Sequence, residues 1–217
     1  MYIQEHWFSA PYGNQDDVPD YFEAPDGIVD DNVPARAIAK SQLTVVLDAG
    51  HGGTQAGCEF EGILEKDIAL SVTLLLKEKL EESGGNVILT RDGDQDVSLD
   101  ERCAIANTAD ADLFVSIHCN SYTDDTSIKG FEGYYYQDTE GKRVADLILC
   151  ASENYPSIKT RSVKEEDYKV LRDTEMPAVL LEIGYLSNVA ERADLQSTEY
   201  QNTLAQAIFD GIIAMLT

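Results

Sequence analysis

Leu113-Phe-Val-Ser-Ile-His118, running on into Cys119-Asn120, is the stretch on which the reading of the fold turns. A strand with one wet face alternates apolar and polar residues. This one is apolar almost without interruption, which predicts burial on both faces, as in the central strands of a sheet covered by helices on either side. Upstream, Leu43-Thr-Val-Val-Leu47 is a short β-branched run closed by Gly50 and Gly52-Gly53, and Asn86-Val-Ile-Leu-Thr-Arg91 reads as the next strand. Downstream, residues 131–136 and Ala178-Val-Leu-Leu-Glu-Ile183 read as two more.

Helical patterns fill the gaps. From Glu65 to Ser83, Ile68, Val72, Leu75, Leu76 and Leu80 fall near one face before Gly84-Gly85 stops the run. Ser98-Leu-Asp-Glu101 is a capping box that opens a helix to about Ala109. A third helix is expected over 139–154, and a last one carries Leu204, Ala205, Ile208, Ile212 and Met215. The alternation predicts an α/β three-layer sandwich, a mostly parallel or mixed central sheet flanked by helices, over residues 41–217. Chemistry in such sheets gathers at the carboxyl ends of the strands.

Residues 1–40 are different. They hold Pro11, Pro19, Pro25 and Pro34 and the acidic pairs Asp16-Asp17 and Asp30-Asp31 without periodicity, and read as an acidic linker or arm. Trp7, Phe8, Tyr12, Tyr21 and Phe22 offer it docking points. No basic, apolar leader is seen in Met1 to Ala10, and no stretch approaches the roughly 18 apolar residues of a membrane span.

With 16 basic against 40 acidic residues in 217, the formal charge of −24 speaks against nucleic acid or an anionic membrane as partner. Cys58, Cys103, Cys119 and Cys150 form no CxxC pair. Cys103 and Cys150 fall on apolar helix faces and are expected in the core, and strand alternation turns Cys119 away from His118, disfavouring a Cys/His nucleophile.

Three strands end in residues fit for metal or proton chemistry, at Asp48-Ala-Gly-His51, Ser116-Ile-His118 and Leu181-Glu182-Ile-Gly184, while Glu65 opens the first helix after a glycine-rich loop. Each alone has an ordinary explanation: a lone histidine is commonly just hydrogen-bonded, and Glu65 suits a helix N-terminus. Glu182 is harder to set aside, because a carboxylate inside an apolar strand is costly unless paired or ligating. Two imidazoles and one carboxylate with an open position form the ligand set of a hydrolytic zinc site. Magnesium prefers oxygen ligands. A second carboxylate must then move the proton, and Glu182 is the candidate general acid/base.

The segments Val46-Leu-Asp-Ala-Gly-His-Gly-Gly53, Val115-Ser-Ile-His-Cys-Asn-Ser121 and Pro177-Ala-Val-Leu-Leu-Glu-Ile-Gly-Tyr-Leu-Ser-Asn188 resemble the zinc-dependent N-acetylmuramoyl-L-alanine amidases of the amidase 3 type. Weaker matches lie at Thr90-Arg91, Arg102 to Asn107, Gly130-Phe-Glu132 and Tyr168-Lys-Val-Leu-Arg172, so the likeness runs in order from about Leu43 to the C-terminus. It implies one zinc held by His51, Glu65 and His118, with Glu182 as catalytic acid/base. The reaction implied is attack of metal-activated water on the amide between N-acetylmuramic acid and L-alanine in peptidoglycan. It also implies action outside the cell, in the wall or periplasm, and a monomer is the expected state.

Other positions carry weaker expectations. Asp48 is either a partner that fixes a ligand histidine's tautomer or a cap on the glycine turn. Asn120 contacts substrate or ties down its loop, and Lys164 and Arg172 meet carboxylates of the stem peptide. Arg91, Arg102 and Asn107 read as structural, and Glu132 either sits near the cleft or, the more ordinary reading, is an exposed strand-end carboxylate. Ala49 stands where the family usually has proline, which loosens the His51 loop slightly, and Ser162 where glycine is common, bearing on peptide preference. The sequence leaves no room between Tyr136 and the 139–154 helix for the inhibitory helix that some relatives insert, so activity without a partner is expected. Two alternatives stay open: a zinc carboxypeptidase, which needs a cationic clamp for its substrate, and a non-catalytic wall-binding module, which would be expected to lack at least one of these four residues.

Overall fold

The computed structural model describes residues 43–216; the arm expected over 1–40 lies outside the described residues. In chain order the elements are β1 (Thr44–Ala49), a small hairpin of β2 (Glu59–Phe60) and β3 (Ile63–Leu64), α1 (Glu65–Glu82), β4 (Asn86–Leu89), α2 (Leu99–Thr108) and β5 (Leu113–Asn120). There follow β6 (Phe131–Tyr135), α3 (Thr139–Ser152), β7 (Thr160–Glu165), α4 (Lys169–Arg172), β8 (Ala178–Tyr185), α5 (Val189–Leu195) and α6 (Thr198–Ala214).

The main sheet has the order β4-β1-β5-β8-β6-β7. Its first four strands are parallel; β6 runs antiparallel to β8, and β7 parallel to β6. The sheet is therefore mixed. β5 and β8, which lie next to each other in its middle, are buried almost throughout, as their unbroken apolar sequences require.

Side-chain alternation splits the core into two layers. Val45, Leu47, Val115, Ile117, Leu181 and Ile183 face α1, α3 and α6 through Leu76, Leu80, Ile148, Leu204 and Ile208. Val46, Phe114, Tyr134 and Leu180 face the other way, onto Cys103 and Ala106 of α2 and Val170 and Leu171 of α4. The Ser98 capping box forms as expected, with the Ser98 side chain accepting from Glu101 N and the Glu101 carboxylate from Ser98 N. Cys150 corrects the expectation of a core residue: it is exposed, one position past the buried stripe Val144, Ala145, Ile148, Leu149 of α3. β7, α4 and α5 were not anticipated. β7, Thr160-Arg-Ser-Val-Lys-Glu165, has a single apolar residue and lies at the sheet edge, where one wet side requires no more.

Candidate metal centre

The carboxyl ends of β1 and β5 bring His51 and His118 together, and the first residue of α1 closes the group. Glu65 Oε1 lies 3.1 Å from His51 Nε2 and 2.9 Å from His118 Nδ1. The two rings stand edge to face with centroids 4.9 Å apart. Backbone amides fix the carboxylate: Cys119 N donates to Oε1 at 3.1 Å and Cys58 N to Oε2 at 2.8 Å. Burial alone would raise the Glu65 carboxyl, but hydrogen bonds from His118 and His51 outweigh it and hold it well below the usual carboxylate range.

Two glycines make room for these side chains. A Cβ on Gly50 would stand 2.4 Å from the His118 ring, and one on Gly57 would stand 2.4 Å from Glu65 Oε2 and 2.7 Å from His51 Cδ2. His51 itself has φ of 59°, a left-handed conformation uncommon outside glycine. Such a conformation persists only where its surroundings impose it, and here two arginines do so. Arg91 donates to the carbonyls of Ala49, Gly50, Gly93 and Lys66, and Arg102 to those of Ala49 and His51. Whatever the missing proline at Ala49 loosens, these bonds restrain.

Asp48 reaches neither histidine, which corrects its expected place beside a ligand. Its Oδ1 accepts from Thr90 at 2.6 Å and Arg102 at 2.5 Å, and its Oδ2 from Ser116 at 2.7 Å. It anchors the arginine that holds the His51 carbonyl. Both members of the Asp48–Arg102 pair are buried, so Asp48→Asn strands a guanidinium without its counter-charge. The expected cost is about 3–5 kcal/mol, read from urea unfolding of the metal-free protein.

Donor chemistry and spacing both suit zinc. The ligand atoms of His51, Glu65 and His118 all lie within 4.8 Å of one another. Four donors about 2.0–2.2 Å from a tetrahedral ion stand roughly 3.3 Å apart; the two carboxylate–imidazole separations of 2.9 and 3.1 Å differ from this by only a few tenths of an ångström.

Beside this group the sheet lays out a row. His118 on β5 pairs in register with Glu182 on β8, and Glu182 pairs with Glu132 on β6. Glu182 is buried, and its Oε2 has no hydrogen-bond partner among the described residues. A buried unpartnered oxygen costs stability, which singles Glu182 out as a candidate for chemistry. Burial raises the Glu182 carboxyl far above the usual range, and the charges of Glu65 and Glu132 add to the effect.

Glu132 takes the first of its two expected places, beside the cleft, and is not an exposed strand-end carboxylate: it is fully buried and accepts five hydrogen bonds. Arg161 Nε and Lys164 Nζ each lie 2.8 Å from Oε1; Tyr185, Tyr134 and Asn120 donate to Oε2 at 2.8, 2.9 and 3.2 Å. Burial pushes this carboxyl up, but Lys164, Arg161 and Tyr185 together hold it below its ordinary value. Asn120 thus ties its loop to this hub, and its Oδ1 accepts from Ser121 N. Lys164 ends in the row. Arg172 does not: it pairs with Asp167 and Asp173, beside Tyr136, Pro177 and Ala178 at the amino end of β8, the opposite rim of the sheet. Asn107 ties α2 to the segment after α4, donating to the Asp173 carbonyl and accepting from Glu175 N.

Solved hydrolases share this fold. The N-acetylmuramoyl-L-alanine amidase AmiC2 of Nostoc punctiforme superposes with a TM-score of 0.77 at 39% identity, covering 80% of this chain and 97% of that one. An N-acetylmuramoyl-L-alanine amidase from Clostridium difficile 630 gives 0.78 at 32% identity, over 81% and 97%. Residues 45–214 match the Amidase_3 family, N-acetylmuramoyl-L-alanine amidase, and the chain belongs to that family. Among curated sequences, uncharacterized protein YqiI of Bacillus subtilis is 41% identical over 172 residues, 78% of this chain and 82% of YqiI. N-acetylmuramoyl-L-alanine amidase LytC of the same organism is 36% identical over 174 residues, but the chain spans only 35% of it.

Proposed function

We propose that residues 41–217 form a zinc-dependent catalytic domain that hydrolyses the amide joining N-acetylmuramic acid to the L-alanine of the peptidoglycan stem peptide. The observation that carries this reading is the placement of Glu182 in register beside His118, next to three convergent metal donors. Family membership supplies the substrate class, and the relatives' description as cell wall amidases supports action in the wall.

His51 Nε2, His118 Nδ1 and Glu65 Oε1 would hold the ion. When bound, zinc polarises the scissile carbonyl and acidifies water. Glu182 takes the proton of the attacking water and delivers it to the leaving L-alanine nitrogen. Its raised pKa suits both halves of that task, since a carboxyl held above the usual range is a stronger base when ionised and takes up the proton it must later deliver. The apolar strand around it keeps bulk water from competing for the proton. Three residues join β6 to α3, which supports activity without a partner to withdraw an inserted helix.

Among the described residues no helix is long and apolar enough to cross a membrane. The test is a zinc-loaded assay on defined muropeptides read by mass spectrometry. An amidase releases intact stem peptides with L-alanine at the amino terminus and a glycan bearing a free lactyl carboxylate. Release of a carboxy-terminal amino acid instead would establish the carboxypeptidase alternative.

A further inference from the structure

Beyond Glu182 the row of side chains continues to a pair of cations that the proposed chemistry does not use. β6 and β7 are out of step: Phe131 faces Thr160, but Gly133 faces Val163, so three β7 steps match two on β6. Under strict alternation Arg161 and Lys164, three apart, would point to opposite faces. The extra residue, in the stretch that contains Ser162, re-aims the strand, and both cations reach the same Glu132 oxygen. Bulges of this kind mark places where a side chain must be redirected.

Binding Glu132 does not exhaust the Lys164 ammonium. Among the described residues Lys164 makes a single ion pair, packs over the Tyr134 ring and keeps a side chain 44% exposed, so its ammonium retains donors directed at solvent. A partly exposed ammonium at the end of the catalytic row favours an anionic group on the ligand.

Resting on the amidase reading, we infer that Lys164, set by Glu132 and the β7 bulge, binds a carboxylate of the stem peptide and so determines specificity. The span decides which one. Glu182 and Glu132 sit on adjacent strands, about 4.8 Å apart, and the ammonium lies one hydrogen bond further, on the order of 8–10 Å from the acid/base. An extended peptide rises about 3.3 Å per residue, so the carboxylate belongs to the second or third residue of the leaving peptide.

The experiment compares zinc-loaded wild type, Lys164→Met and Lys164→Arg on two muramoyl peptides that differ only in whether the stem carboxylates are free or converted to carboxamides. Wild type prefers the free acids. Lys164→Met raises KM for the free-acid substrate by about 10-fold or more, the worth of one charge-assisted hydrogen bond, with the loss in KM rather than kcat. It changes KM little for the carboxamide, and Lys164→Arg retains the preference. An equal KM rise on both substrates, or none on either, overturns the inference and leaves the amidase reading standing. Wild type that cleaves neither substrate overturns the amidase reading, and this one with it. Melting temperatures of the three proteins show whether Lys164→Met remains folded; were it unfolded, Lys164→Gln would take its place in the same comparison.

Discussion

Replacing Glu182 with glutamine is expected to lower turnover on muropeptides by about 10²-fold or more while leaving zinc content unchanged. The carboxyl lies in register beside His118 but is not among the three convergent donors, so its loss removes a proton carrier and not a ligand. Metal analysis alongside steady-state kinetics checks both halves; unchanged turnover removes Glu182 from its role. The same variant should be more stable than wild type when both are metal-free. A folded carboxyl raised above its unfolded value stabilises fully below the unfolded pKa and loses that contribution as pH rises through the folded one. Glu182 is such a group, so wild type carries the penalty of a buried carboxylate at pH 8 and much less of it at pH 5. The melting-temperature advantage of Glu182→Gln should therefore widen from pH 5 to pH 8, at about 2–4 °C for each kcal/mol in a chain of this size.

The second large effect concerns the metal. Chelation is expected to abolish hydrolysis, and added zinc to restore it. Zinc should also raise the melting temperature of wild type, because an ion bound only by the folded state stabilises it by about 4 kcal/mol at 1,000 times its dissociation constant. Glu65→Gln should remove both responses. Its amide oxygen can still accept from Cys58 N or Cys119 N, the bonds that Glu65 makes in the structure, so folding should survive where zinc binding does not. A Glu65→Gln protein that still gains the full zinc-dependent rise in melting temperature would show that the ion is held elsewhere.

Much of this geometry was legible in the chain itself, for identifiable reasons. β5 and β8 announce their central position through unbroken apolar runs, and strand ends rich in small residues mark where His51 and His118 emerge. The family resemblance then gave those residues their roles. What was missed depends on relations between strands. Glu132 lies in an apolar strand like Glu182, and the same cost of burial applied to it, but placing it at a strand end hid this. Arg161 reaches Glu132 only because of a register slip, and no single strand's sequence records a slip against its neighbour. Arg172 was assigned to the cleft, yet whether the chain near it approaches one rim or the other depends on β6 and β7 running against the first four strands. One of the two readings of Asp48 set it against a ligand histidine; strand alternation turns it instead toward Ser116 and Arg102.

The outermost position of β7 ties two properties together. A sheet's last strand leaves backbone groups unpaired, and charged side chains are one way in which proteins keep such an edge from recruiting another molecule. Lys164 lies on that strand, so the residue one would exchange to alter the proposed preference is also one of the charges that discourage pairing at this edge. Neutral substitutions there should bring a loss of solubility along with any change in preference, and a retargeted variant would do better to exchange one charge for another than to remove it.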